Sequence, residues 1–419
     1  MNKINFSSQN LKLNFNVAVS LVTSLLFGIL YLKNLNSLDF VIFTTSFAIF
    51  QFSDNFSNLK LYEYPKKILL HDDYNKIKNE IGNLLVSSMI ITIPVAIISV
   101  SFAYFIYFET LFNQTFFSIS IYLIFSLIVS PFVNILRAYI LFSNKLNEYI
   151  GLEIKINLIF RTILLLILYF YVENLLGALI VNFVTRLILL PGLFLFLKKS
   201  KLLPIFSSYN KLKLKMHINF SSRVLIAESY TQLVYALIAY ILLNKYNLEI
   251  VSTVMVAVSI IQRLPQVIYT YLLIYNQKLT NLIKSPRLVV KLIISNIKYT
   301  LYIYAFLFLI SLMFEDTILN LVRLLGEVGN SFIYILLILV FFEGLLFICR
   351  LGMYIMQIIS VERIIFNNSI ISLLITIALT TTIYFFSSNL IIDLLSFVNF
   401  YLILIILNHK QLNKIFFNK

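Results

Sequence analysis

Apolar residues run along this chain in long blocks, separated by short polar interruptions. The blocks fall at 13–32, 40–62, 81–108, 119–142, 151–171, 175–197, 218–243, 250–275, 290–314, 331–349, 366–386 and 390–407. Each is long enough to cross a bilayer whose hydrocarbon core is ~30 Å thick. In lipid, backbone N–H and C=O groups find no water, so a spanning segment must be a helix or belong to a closed barrel. The alternation and tight turns of a barrel are absent, and the pattern predicts twelve transmembrane helices. The first block exceeds the usual signal-peptide run and no A-x-A site follows it, so it is expected to remain as a span.

Composition agrees with the pattern. Of 419 residues, 60% are hydrophobic and 12% charged, and mean hydropathy is +0.92. Soluble domains lie near 45–50% apolar and about 25% charged. Twelve spans at ~20 residues each leave little chain for a soluble catalytic domain. No G-x-x-x-x-G-K-[ST] stretch occurs, which excludes a P-loop motor. A single cysteine, Cys349, rules out an internal disulfide and a zinc cluster. His71, His217 and His409 all fall outside the apolar blocks, so neither a buried metal nor a haem is expected. No cofactor is predicted, which leaves Na⁺ or a proton as the possible coupling ion.

The net charge of +15 raises nucleic acid as a partner, but its distribution points to a membrane surface instead. With the N-terminus in the cytoplasm, and Lys60, Lys155 and Lys291 at the cytoplasmic ends of their blocks counted with the inside segments, 24 of the 33 Lys and Arg fall inside and 3 in outside loops. This asymmetry predicts an even span count, both termini cytoplasmic and an inner (plasma) membrane location. The outside loops are short, the longest being about 15 residues around 315–330. That leaves no room for the extracytoplasmic catalytic loop that a membrane glycosyltransferase or O-antigen polymerase would need. The longest inside loop, Lys198 to His217, reads KKSKLLPIFSSYNKLKLKMH and is expected to lie along the anionic leaflet.

This basic loop divides the chain into a six-helix bundle over 1–197, a linker over 198–217 and a second six-helix bundle over 218–419. The halves begin alike, with YLKNLNSLDFVIF from Tyr31 and LLNKYNLEIVSTV from Leu242. Lys33 aligns with Lys245, and Asp39 with Glu249. A parallel repeat of two facing bundles describes a secondary transporter.

Six basic residues lie inside spans and away from their cytoplasmic ends: Arg137, Arg161, Arg186, Arg223, Arg263 and Lys298. A central arginine costs ~2.5–3.5 kcal/mol to insert, so it should face a polar interior. The acids inside spans are Asp54, Glu228 and Glu343, with Asp393 near the outer start of span twelve. The deepest charges therefore favour cations, and a cationic cavity suits an anionic substrate. Arginine presents a planar fork that matches phosphate. Arg161, Arg186 and Arg263 are the first candidates for anion contact, with Arg137, Arg223 and Lys298 next. Asp54 and Glu228 are candidates for ion coupling. For each residue the alternative is a structural ion pair. Pro94, Pro131, Pro191 and Pro265 should bend their helices.

With LNSLDFVIFTTSFAIFQFSDNFSNLKLYEYPKK at Leu35–Lys67, twelve spans and a basic mid-chain loop, the layout resembles the polysaccharide repeat-unit flippases (Wzx type). These belong to the multidrug/oligosaccharidyl-lipid/polysaccharide (MOP) exporter superfamily. The resemblance implies two six-helix bundles of MATE/MOP type and alternating access. It implies an undecaprenyl-diphosphate-linked oligosaccharide as substrate, for O-antigen or capsule biosynthesis, and polymerase or assembly proteins as partners. Lipid II flippases of that superfamily usually have fourteen spans and a basic first helix, unlike this chain. The rivals are a MATE-like ion-coupled drug exporter and, from another class, a membrane O-antigen polymerase.

Overall fold

The computed structural model describes residues 19, 22–23, 26–57, 74–107, 114–142, 146–206, 210–262, 298, 302, 305–306, 309, 312–323, 331–358 and 362–417. Among them there is no strand. The first half holds α1 (Ser37–Ser57), α2 (Tyr74–Tyr107), α3 (Gln114–Phe142), α4 (Leu146–Tyr171), α5 (Leu175–Leu187) and α6 (Leu189–Lys199). Residues 26–34 are helical ahead of α1. The second half holds α7 (Lys211–Leu243), α8 (Leu248–Ile261), α9 (Glu315–Arg323), α10 (Phe332–Ile358), α11 (Glu362–Phe386), α12 (Leu390–Ser396) and α13 (Asn399–Phe417). Seven of the described stretches are long and apolar enough to cross a membrane. The chain is an all-α, multi-pass membrane protein.

It divides into two compact units. One comprises Met1–Ser221 with Tyr235–Ile241, the other Ser222–Val234 with Leu242–Lys419. The first is built inside-out relative to a soluble domain. On α2, Ile93, Ile97, Ile98 and Phe105 are exposed, while Ser87, Ser88, Thr92 and Ser99 are buried. Lipid solvates the apolar face, so packing there gains nothing from water exclusion. Small hydroxyl residues let the helices approach closely instead. Their hydroxyls donate to carbonyls one turn back, as from Thr92 to Ser88 at 2.9 Å and from Thr44 to Phe40 at 2.9 Å.

Asparagine caps recur at four helix starts. Asn36 accepts from the Asp39 N–H at 2.8 Å while its amide donates to the Asp39 carboxylate at 3.0 Å. Asn174, Asn247 and Asn389 cap α5, α8 and α12 in the same way. Each supplies an acceptor to a first-turn N–H that has no intrahelical partner. The repeat predicted from lysines and acids thus extends to the caps, with Asn36 matching Asn247 and Asn174 matching Asn389.

Two features differ from expectation. α7 begins at Lys211 rather than near 218, because the lysines and leucines ahead of the apolar run are themselves good helix formers. The region read as a loop at 315–330 contains α9, whose first turn carries Glu315 and Asp316, where acids favour helix initiation.

Candidate functional site

Span six is broken. Pro191 has no N–H to give the Leu187 carbonyl, and its ring crowds that carbonyl. α5 accordingly ends at Leu187 and α6 begins at Leu189, with Ile188 donating back to the Val184 carbonyl at 3.0 Å. Arg186 sits in the last turn of α5, where a cation complements the negative end of the helix.

The half-buried Arg186 guanidinium lies 3.9 Å from the centroid of Phe50 and 5.6 Å from that of Phe47, both on α1. Among the described residues no carboxylate pairs with it, and its buried Nε has no acceptor. One helical turn beyond Phe50 on α1 stands Asp54, whose carboxylate accepts from the Asn134 amide of α3 at 3.1 Å. Asn134 also donates to Ser130 at 3.1 Å. On the same helix the buried Tyr122 donates to the Asn182 amide oxygen of α5 at 3.0 Å and is within electrostatic reach of both Arg186 and Asp54. Three helices of one unit therefore bring together a cation braced on aromatic rings, an acid and four neutral hydrogen-bonding side chains. Such a group can hold an oxyanion on the guanidinium edge and hydroxyls on the amides.

The second unit contrasts with this at the equivalent place. Span twelve is also irregular, tightening to i→i−3 hydrogen bonds at Phe397 and Val398 between α12 and α13, without a proline. The Tyr230 hydroxyl donates to the freed Phe397 carbonyl at 3.2 Å. Shifting Arg186 by the Asn174-to-Asn389 offset lands on Tyr401, which is fully buried. Tyr401 shares a 2.5 Å hydrogen bond with Thr231, and its ring packs among Tyr230, Phe342 and Phe400. Where the first unit offers a cation, the second is plugged by aromatics.

At the sequence level this chain matches no protein-family model and no curated protein. Solved structures do match it. The eukaryotic MATE transporter AtDTX14 is similar at 13% identity over 97% of this chain and 96% of that one, with a TM-score of 0.66. An inward-facing multidrug resistance MATE transporter of the MOP superfamily gives 11% identity over 97% and 94%, with a TM-score of 0.63. A MOP superfamily transporter from Pyrococcus furiosus, described by the reverse polarity of its binding pocket and a different suggested function, gives 12% identity over 96% and 94%, with a TM-score of 0.52. The fold is that of the MATE transporters.

On this MATE fold the predicted residues separate. Arg186 and Asp54 come together as described. Arg161, half-buried on α4, donates from Nη1 to the Thr23 hydroxyl at 3.3 Å and so ties α4 to the first span. Arg137 is half-buried on α3, three residues beyond Asn134. Lys298 is exposed. Arg263 lies outside the described residues, as do the side chains of Arg223 and Glu228. The sequence did not single out Phe50, Tyr122, Asn134 or Asn182. Nor did it single out the side chain of Gln262, which is buried with both amide atoms lacking a hydrogen-bond partner among the described residues.

Proposed function

We propose that this protein is a transporter that moves an anionic, lipid-anchored substrate across the membrane by alternating access. The substrate class we assign is a polyprenyl-diphosphate-linked oligosaccharide destined for surface polysaccharide. The observation that carries this reading is Arg186, a cation set inside a membrane unit against Phe50, with no carboxylate partner among the described residues. A charge in that position is costly unless something neutralises it, and an anionic substrate would do so. Stacking on Phe50 fixes the guanidinium plane and leaves its edge for two phosphate oxygens. Asn134, Asn182 and Tyr122 offer neutral contacts to sugar hydroxyls, while the prenyl chain stays in lipid along the exposed apolar faces. No covalent step is required. In this reading the two bundles over 1–197 and 218–419 form the moving lobes, in the inner membrane. The reverse pocket polarity of the Pyrococcus furiosus relative supports the idea that this fold accommodates substrates of the opposite charge.

The test is a paired measurement on Arg186→Ala and Arg186→Lys. Loss of a charge-assisted hydrogen bond costs ~1.5–3 kcal/mol, about tenfold to a hundredfold in affinity. Alanine is expected to leave protein abundance normal while lowering both surface polysaccharide and binding of a short-chain polyprenyl-diphosphate sugar in proteoliposomes. Lysine is expected to restore part of the loss, since it supplies charge without the fork. Normal binding by the alanine variant would refute the assignment.

A second reading, an ion-coupled exporter of organic cations, draws on Asp54 and its Asn134 hydrogen bond. It predicts the opposite pattern: Asp54→Asn abolishes transport and Arg186→Ala spares it.

A further inference from the structure

In the segment joining the two halves of the chain, residues 200–206 and the start of α7 are anchored on α2, and the way they are anchored decides what they show to their surroundings. α6 ends in a Schellman turn. Leu202 donates to the Leu197 carbonyl at 2.8 Å and Lys201 to the Lys198 carbonyl at 3.2 Å, with Leu197 and Leu202 both buried. Lys201 takes the left-handed conformation this requires, at φ 57°. The chain then crosses α2, where Ile205 donates to the Lys78 carbonyl at 3.2 Å. Gly82 makes that crossing possible, because a Cβ there would collide with the Ile205 carbonyl. Beyond it, Lys213 pairs with Glu80 at 2.5 Å and the His217 ring meets the Ser87 hydroxyl at 3.3 Å.

These anchors use the backbone and one face of α7. Five lysines remain outward and exposed: Lys198, Lys199, Lys201, Lys211 and Lys215. Beside them, Leu203, Ile205, Phe206, Leu212 and Met216 are also exposed, Leu212 at 79%. Lys211 and Lys215 form one row along the start of α7, and Leu212 with Met216 forms the adjacent row. No acid occurs between Lys198 and His217. The segment leaves the candidate span Leu175–Lys199 and enters α7, whose Ser229–Leu243 portion is apolar, which puts it beside the bilayer surface in this reading.

We propose that this segment is an anchor for anionic lipid, with its lysines on headgroup phosphates and its apolar side chains in the boundary of the acyl chains. The charge is of one sign, the neighbouring membrane supplies the opposite sign, and cationic and apolar rows lie side by side as an interfacial helix requires. The proposal does not depend on the transported substrate.

The chain contains no tryptophan. Phe206→Trp and Leu212→Trp in the full-length protein are therefore single-tryptophan reporters. Each is placed in nanodiscs of phosphatidylcholine, with or without phosphatidylglycerol, whose acyl chains are brominated near the headgroup. Ile97→Trp, on the exposed apolar face of α2, serves as the control for insertion and is quenched in both lipids. Emission of the two reporters is expected to be blue-shifted and quenched, more strongly with phosphatidylglycerol. That increment should fall when ionic strength rises from 0.1 to 1 M, as the screening length drops from ~10 to ~3 Å. Each lysine near an anionic surface contributes about fivefold to partitioning, so Lys211→Gln with Lys215→Gln should remove most of the increment. Unquenched, water-like emission in both lipids would overturn the proposal and leave the face free for a soluble partner. Quenching that is equal in both lipids and indifferent to salt would equally overturn its anionic part.

Discussion

Lys33 and Lys245 align in the repeat read from the sequence, yet among the described residues only Lys245 pairs with an acid. Lys33 lies 4.8 Å from the Tyr169 ring, and Lys245 lies 4.9 Å from that of Tyr384. Lys245 also pairs with the buried Asp393 at 2.6 Å, and Tyr246 donates to the same carboxylate oxygen at 2.8 Å. Removing one partner of a buried pair costs ~3–5 kcal/mol. Lys245 keeps some solvent and the Tyr384 carbonyl, so Asp393→Asn is expected to cost about 1–3 kcal/mol. Lys33→Gln should stay within ~0.5 kcal/mol, as a surface change. The temperature at which each variant loses its monodisperse peak after heating in detergent checks the contrast; equal losses would refute it. At this scale the sequence was half legible. A mid-span arginine announces itself by its insertion cost, so Arg186 stood out in the sequence. Its Phe50 platform was hidden among 39 phenylalanines, most of which serve packing or lipid contact. Asn134 and Asn182 carry no charge that would mark them. Arg161 looked identical to Arg186 in the sequence, and only tertiary structure gives it the Thr23 hydroxyl.

Element positions were legible because lipid enforces both length and composition on a spanning helix, and the seven spans identified in the structure fall on predicted blocks. Helix interruptions were less so. Pro94 and Pro131 lie inside uninterrupted α2 and α3, whereas Pro191 accompanies a one-residue irregularity at Ile188. Proline shows which hydrogen bond is lost, not whether neighbouring helices hold the axis together. Pro191→Ala restores a donor for the Leu187 carbonyl and removes a penalty of ~3 kcal/mol for an interior proline. The variant is expected to melt higher and to transport less, because restoring the missing hydrogen bond in span six would shift Arg186 relative to Phe50. Higher stability with unchanged transport would dissociate the break from the site. The break in span twelve carries no sequence mark, since Tyr230 reaches the freed carbonyl from another helix. Lys201 offers the converse test. Glycine adopts φ 57° without the steric cost that a lysine bears, so Lys201→Gly should stabilise the end of α6 by about 1 kcal/mol. A lower melting temperature would show that the lysine side chain matters more than its backbone.

At the scale of the whole molecule, pH and topology offer the decisive measurements. His217 stands ahead of the apolar part of α7, and burial pushes its pKa down to about 4 from an ordinary 6.5, against the pull of Glu80 and with the push of Lys213. An unfolded chain therefore takes up a proton at higher pH than the folded one. The stabilisation from neutral His217 is complete above pH ~6.5 and is lost as pH falls toward 4. His217→Gln should flatten that part of the stability–pH curve; an unchanged slope would remove His217 as its origin. Orientation follows from charge, with 24 Lys and Arg assigned to one side and 3 to the other. Cys349, the one cysteine, is buried, so Cys349→Ser gives a clean background for cysteine labelling. Lys201, Asp316 and Lys410 are all exposed. Placed singly as cysteines, the Asp316 position should react with a membrane-impermeant maleimide in intact cells. The Lys201 and Lys410 positions should react only after permeabilisation. Labelling at Lys410 from outside would mean an odd number of crossings. In the proposed arrangement of two parallel six-helix halves each half would return the chain to its starting side, so an odd number would contradict both that arrangement and the alternating-access scheme built on it.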